Sequence, residues 1–192
     1  MDGATIEMRN RSKIHPLKFA LWISLASISM MFAGFLSAYI VRQAAGNWFE
    51  FQLPLHFTIS TIIMLISSLT LHTSLLNFKK SKEFNYKFLL GLTFILGLAF
   101  VILQYFGWLS LQTIGVDLKG NPSGAFVYVI SGVHVAHVLG GLAILVVALM
   151  HAFGLPFKVT PRRINRLDLT TQYWHYVDLL WVVLFLFLTF YR

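Results

Sequence analysis

Six histidines and one aspartate lie inside otherwise apolar stretches of this sequence: His56, His72, His134, His137, His151, His175 and Asp178. Ionisable groups in such surroundings are expensive to maintain and are candidates for function by default. His134 and His137 stand three apart in Ser131-Gly-Val-His-Val-Ala-His-Val-Leu-Gly-Gly141, so a helix puts them on one face. Two chemistries fit that pair. It is part of a metal-ligand set that His175 would have to complete in space, or it anchors a neighbouring helix through neutral, hydrogen-bonding imidazoles. Two histidines are an incomplete ligand set and no third ligand is marked in sequence, so the anchor is the favoured reading.

Haem is a further possibility. His137 and His151 are fourteen residues apart, a spacing that would set two axial ligands near opposite leaflets. The matching pair would have to be His56 and His72, sixteen apart; at 3.6 residues per turn that is about 4.4 turns, and the two rings diverge. Near the C-terminus, Tyr173-Trp-His-Tyr-Val-Asp-Leu-Leu-Trp181 places His175 and Asp178 one turn apart, where they can pair. Trp174, Asp178 and Trp181 follow one helical line. This is either an interfacial aromatic belt with a buried polar lock or a proton relay. Asp178 is the only acid well inside the apolar stretches, which favours the lock. Gly132, Ala136 and Gly140 recur every four residues and predict a small-residue stripe against which another helix packs closely.

Other chemistries are excluded. There is no cysteine, hence no disulfide, zinc ribbon, iron–sulfur ligation or thiol nucleophile. No Gly-rich phosphate loop, nucleophile elbow or paired carboxylate occurs.

The elements that must position these residues are membrane helices. Of 192 residues, 57% are hydrophobic and 11% charged, against roughly 25% charged in an average globular chain. Mean hydropathy is +0.73. Apolar runs at about 16–41, 53–78, 88–111, 124–155 and 173–191 each reach the roughly 20 residues needed to cross a bilayer. They lack the alternation of barrel strands, so the predicted fold is all-α, an integral membrane bundle of five transmembrane helices behind a short segment, 1–15. Five helices do not divide into the inverted halves of a transporter, and the first run is too long for a cleaved signal peptide. VDLKGNPSG at 116–124 predicts a turn between the third and fourth helices.

The net charge of +8 reflects topology rather than nucleic-acid binding. Arg9, Arg11, Lys13, Lys18, Lys79, Lys80, Lys82, Lys87, Lys158, Arg162, Arg163 and Arg166 fall on one side, 12 of the 15 basic residues. Arg42, Lys119 and Arg192 fall on the other. The positive-inside rule predicts a cytoplasmic N-terminus and an outside C-terminus.

The stretch Tyr173–Trp181 closely resembles the YWHFVDxxW signature of haem–copper oxidase subunit III, and Ser131–Gly141 resembles that family's GFHxxHVxxG segment. Gly34-Phe-Leu-Ser-Ala-Tyr39 is similar to its GFFxAF stretch, Pro54–His72 to its hydroxyl-rich helix, and Gln104 with Trp108 to its QxxEW/Y element. The likeness runs in order from about residue 17 to the end and fits the short five-helix bacterial form, a cytochrome c oxidase subunit III. The resemblance implies a subunit of the bacterial cytoplasmic (inner) membrane that carries no haem, copper or other redox centre. Haem and copper would reside in partner subunits of a proton-pumping terminal oxidase that reduces O2 to water in aerobic respiration. Such a subunit binds phospholipid in a cleft, stabilises the catalytic subunit and sustains proton uptake. Its partners would be catalytic subunit I, other oxidase subunits and membrane lipids, with membership of a larger respiratory supercomplex left open. His134, His137, Tyr173, Trp174, His175, Asp178 and Trp181 carry over as structural residues. The family's two carboxylates do not: Ile28 and Gly107 occupy their places. The alternatives are subunit III of a quinol oxidase, a b-type membrane cytochrome using His137 and His151, and a small carrier using His175 and Asp178.

Overall fold

The structure, a computed structural model, describes residues 16–191. Arg9, Arg11, Lys13, Arg192 and the segment 1–15 lie outside the described residues. Five helices follow one another: α1 (Pro16–Ala44), α2 (Leu55–Lys79), α3 (Glu83–Thr113), α4 (Pro122–Gly154) and α5 (Pro161–Phe190). All five are long and apolar enough to span a bilayer. Their starts are set locally. Asn121 caps α4 by accepting from Ser123 N at 2.9 Å, with Pro122 just inside the helix. Thr160 caps α5 through Arg163 N at 3.3 Å, ahead of Pro161. Proline suits the first helical position because its missing N–H would have no partner there.

α5 begins twelve residues before the expected Tyr173, so Arg162, Arg163 and Arg166 sit on its first turns instead of in a connection. The charges end the apolar run but not the helix, because Leu167 and Thr171 continue the buried face of Trp174 backwards. Thirty residues rise about 45 Å, longer than the 30 Å hydrocarbon layer, which leaves the charged turns outside it.

α2, α3, α4 and α5 form a ring in which each packs on the next, and α1 lies outside it against α4 and α5 alone. Close packing at the centre of the ring comes from one side chain. The Trp174 indole fills a slot between Gly97 of α3 and Gly141 of α4. A Cβ on Gly97 would stand 2.8 Å from the indole and one on Gly141 2.9 Å from it. The expected stripe does not do this work. Gly132 is half-buried and Ala136 and Gly140 are exposed. The inner face of α4 runs instead through Ser131, His134, Val138, Gly141 and Leu145, all buried. With about 100° of rotation per residue, a stripe one position off the packed face points outward.

The Phe78, Tyr86 and Phe157 rings meet at 4.7–6.3 Å and bring the α2–α3 and α4–α5 connections to one end of the bundle. Lys18 joins that end, because Trp22 beside it bonds Gln172 of α5. The other end holds Arg42 and Lys119.

Gly97→Leu and Gly141→Leu should each lower bundle stability by roughly 1–3 kcal/mol or more through overpacking. Gly140→Leu, on the open face, should leave it within about 0.5 kcal/mol. Thermal unfolding in detergent, followed by tryptophan fluorescence, orders the three.

Candidate functional site

The motif-bearing face of α5 meets a row of hydroxyls on α2. The Trp174 Nε1–H donates to Ser67 Oγ at 3.2 Å and the Trp181 Nε1–H to Thr61 Oγ1 at 2.9 Å. Both tryptophans are about 1% exposed or less, so neither belongs to the interfacial belt that their spacing suggested. Trp181 packs on Phe57 and Phe100 and stacks on His134, with ring centres 4.9 Å apart and 30° between planes.

The expected pair of His175 and Asp178 does not form. His175 Nδ1 turns across the helix interface to Ser68 Oγ at 2.5 Å, and among the described residues the ion pair found is Lys87 with Glu83. Ser68 Oγ also lies beside the Asp178 carboxyl group, whose Oδ1 is buried without a hydrogen bond among the described residues. The physical reason is geometric: residues three apart share a helix face, but a hydroxyl supplied by the facing helix sits where the imidazole points. The ring of His72, one turn along α2 from Ser68, lies 5.6 Å from that of His175.

His134 departs from the hydrogen-bonding anchor in the same way. It is fully buried, neither ring nitrogen has a partner among the described residues, and Phe32, Phe100 and Trp181 surround it. It packs as an aromatic. His137 Nδ1 donates to Val133 O at 2.8 Å on its own helix. Its backbone carbonyl accepts from the Tyr173 hydroxyl at 3.0 Å, which ties α4 to α5.

No group of three or more His, Asp or Glu side chains converges with metal-holding geometry among the described residues. His151 Nδ1 donates to Val147 O at 2.7 Å, and His56 lies 3.3 Å from Ser110 Oγ. No ring contact joins either of His137 and His151 to His56 or His72 among the described residues.

Comparison with known sequences decides the family. Residues 9–192 match the family described as Cytochrome c oxidase subunit III. The chain belongs to that family. It is 30% identical to a probable cytochrome c oxidase subunit 3 from Nocardia farcinica, covering 99% of this chain and 96% of that one. It is 29% identical to the corresponding Mycobacterium bovis protein, over 95% and 91% of the two chains. It is also 28% identical to a cytochrome bo(3) ubiquinol oxidase subunit 3 from Buchnera aphidicola, over 86% and 87%. The chain is thus a subunit III of a haem–copper oxidase, an oxidoreductase complex, and a multi-pass protein of the bacterial inner membrane.

Gly107 and Ile28, where the resemblance implied carboxylates, are both part of the packing. At Gly107 a Cβ would stand 2.8 Å from the Phe57 ring, so the helices have closed onto the glycine and a longer side chain has no room. Ile28 packs half-buried against the core. The subunit III motif residues that sequence alone picked out do come together, but their partners on α2 were missed. Thr61 and Ser68 stand seven residues apart on one helical face, with Ser67 beside Ser68, a hydroxyl pattern that marks them.

Ser68→Ala leaves the His175 Nδ1 unpaired, which should lower stability by about 1–3 kcal/mol. Asp178→Asn keeps the shape and should cost less than about 1 kcal/mol. Melting of the two variants in detergent tests this; a larger loss for Asn than for Ala would restore Asp178 as the central partner.

Proposed function

We propose that this chain is a non-catalytic subunit of its oxidase. It stabilises the catalytic subunit and sustains proton uptake during turnover while holding no haem, copper or other redox centre itself. The observation that carries this reading is how the motif side chains are used. Trp174, Trp181, His134 and Tyr173 are committed to ring packing, to hydroxyls on α2 and to one backbone carbonyl of α4, that of His137. Groups locked in this way hold a shape, and shape is what a neighbouring subunit recognises.

The electron donor in this reading is cytochrome c, which docks on other subunits of the complex. The Buchnera relative, described as part of a ubiquinol oxidase, makes a quinol the second reading. The basic end faces the cytoplasm, with the N-terminus inside and the C-terminus outside. A cleft of about 450 Å³ at that end takes a phospholipid. Phe78, Tyr86, Val147 and Leu167 offer apolar walls for acyl chains, and Arg163 and Arg166 offer guanidinium groups to the phosphate. Arg163 Nη1 also braces the Pro156 carbonyl at 2.8 Å, so its stem is already oriented.

The isolated chain should show no Soret band and no stoichiometric copper, whereas the oxidase purified through it should show both. One haem per chain, lost on His137→Ala or His151→Ala, would make it a cytochrome instead. Oxidase stripped of the chain should begin turnover normally and then lose activity progressively; a stripped enzyme that keeps a constant rate refutes the supporting role.

A further inference from the structure

Among the described residues the backbones of α1 and α2 do not approach one another, and α5 packs on both, leaving a partly open outer face between them. That face is one helical stripe: Asp168, Gln172, His175, Leu179 and Leu186. Leu179 is 64% exposed and Leu186 45%. The walls of the resulting groove are α1, which contributes Trp22 hydrogen-bonded to Gln172, and α2, which contributes an exposed His72.

Most of the groove would suit lipid tails, but its imidazoles would not. His72 lies seven residues inside Lys79, about 10 Å along the helix, and His175 lies fifteen residues inside Phe190, about 22 Å. Both are therefore at hydrocarbon depth. Each neutral imidazole has one donor and one acceptor. His175 uses Nδ1 on Ser68; its Nε2 and both nitrogens of His72 have no hydrogen bond among the described residues. Lipid tails supply neither donor nor acceptor, and polar groups at this depth face protein or a polar cavity. The open face is flanked by α1, through Trp22 on Gln172, and by α2, through Ser68 on His175.

We propose that the groove along α5 between α1 and α2 is the seat of a transmembrane helix of the oxidase's catalytic subunit. A hydrogen-bond acceptor on that helix pairs with His72 and His175. This rests on the supporting role proposed above and names the face that performs it.

The absence of cysteine makes the test clean. In the native complex, Leu179→Cys carries a short photoreactive label in the groove, and Ile95→Cys, 62% exposed on α3, carries the same label as a control. The label at 179 should couple to the catalytic subunit and the label at 95 to lipid. If the chain purifies with the haem-bearing subunits but the label at 179 couples only to lipid or to another subunit, the groove is overturned while the supporting role stands. If the chain does not purify with them at all, the supporting role falls and the groove with it. His72→Leu should leave melting of the lone chain unchanged and weaken its retention in the complex about threefold to tenfold. Equal retention of His72→Leu and wild type overturns the polar contact and the proposal.

Discussion

The bundle depends on one indole. Trp174 lies between the backbones of Gly97 and Gly141 and donates to Ser67, so a single side chain of α5 is in contact with α2, α3 and α4 together. Inside a bilayer no hydrophobic force draws helices together, because lipid tails are as apolar as leucine. What remains is close fit and hydrogen bonding, and this residue supplies both. The glycines admit the ring, the ring fills the space between three helices, and its only polar atom finds a hydroxyl. Trp181 repeats the device two turns later, between Phe57, Phe100 and His134, with its N–H on Thr61. Phe57 in turn closes onto Gly107. The core is a set of interlocked aromatic rings, with Trp174 and Phe57 set into notches made by glycines on other helices.

This arrangement explains why the ionisable residues behave as they do. His134 is enclosed by three aromatic rings and has become one more ring in the stack. Asp178, between Trp174 and Trp181 on the buried line, is held at a depth fixed by its tryptophan neighbours rather than by a counter-charge. Ser68 serves both His175 and the surroundings of Asp178, which makes a hydroxyl the hub of the polar cluster. Serine and threonine can play that part throughout α2 because they are small enough for α3 and α5 to approach and still carry a donor and an acceptor. Ser74 and Ser67 reach backbone carbonyls of α3 in the same manner.

The number of helices and their apolar extents were legible in the sequence, because crossing hydrocarbon constrains composition over twenty residues at a time. The family motifs were legible too. What could not be read was which of two adjacent faces packs. Gly140 and Gly141 are neighbours in sequence, yet only Gly141 meets Trp174. A spacing rule finds stripes but does not say which way they point, and 100° of rotation separates a slot from an open surface. The pairing of His175 failed for a related reason: periodicity shows the neighbours on a residue's own helix, whereas Ser68 arrives from another. The early start of α5 was hidden because charge density ends an apolar run without ending a helix.

α1 stands apart from this logic, and its attachment shows what the rest of the molecule leaves open. It is fastened at intervals: Trp22 to Gln172 near the basic end, Ser29 and the Leu25 carbonyl to the Tyr176 hydroxyl, Phe32 against His134 and His137, and Tyr39 among Trp48, Phe126 and Phe187 at the far end. Only Phe32 and Tyr39 of its twenty-nine residues are buried. No glycine slot receives it; a Cβ on Gly34 would meet nothing within 4 Å. A helix fixed through a few ring and hydroxyl contacts, with its small residues facing outward, is positioned rather than packed. In an isolated bundle that is an inefficient use of twenty-nine residues. In a subunit of an oxidase it leaves surface on both sides of α1 for neighbours, while Trp174 and Trp181 keep the four-helix ring behind it rigid.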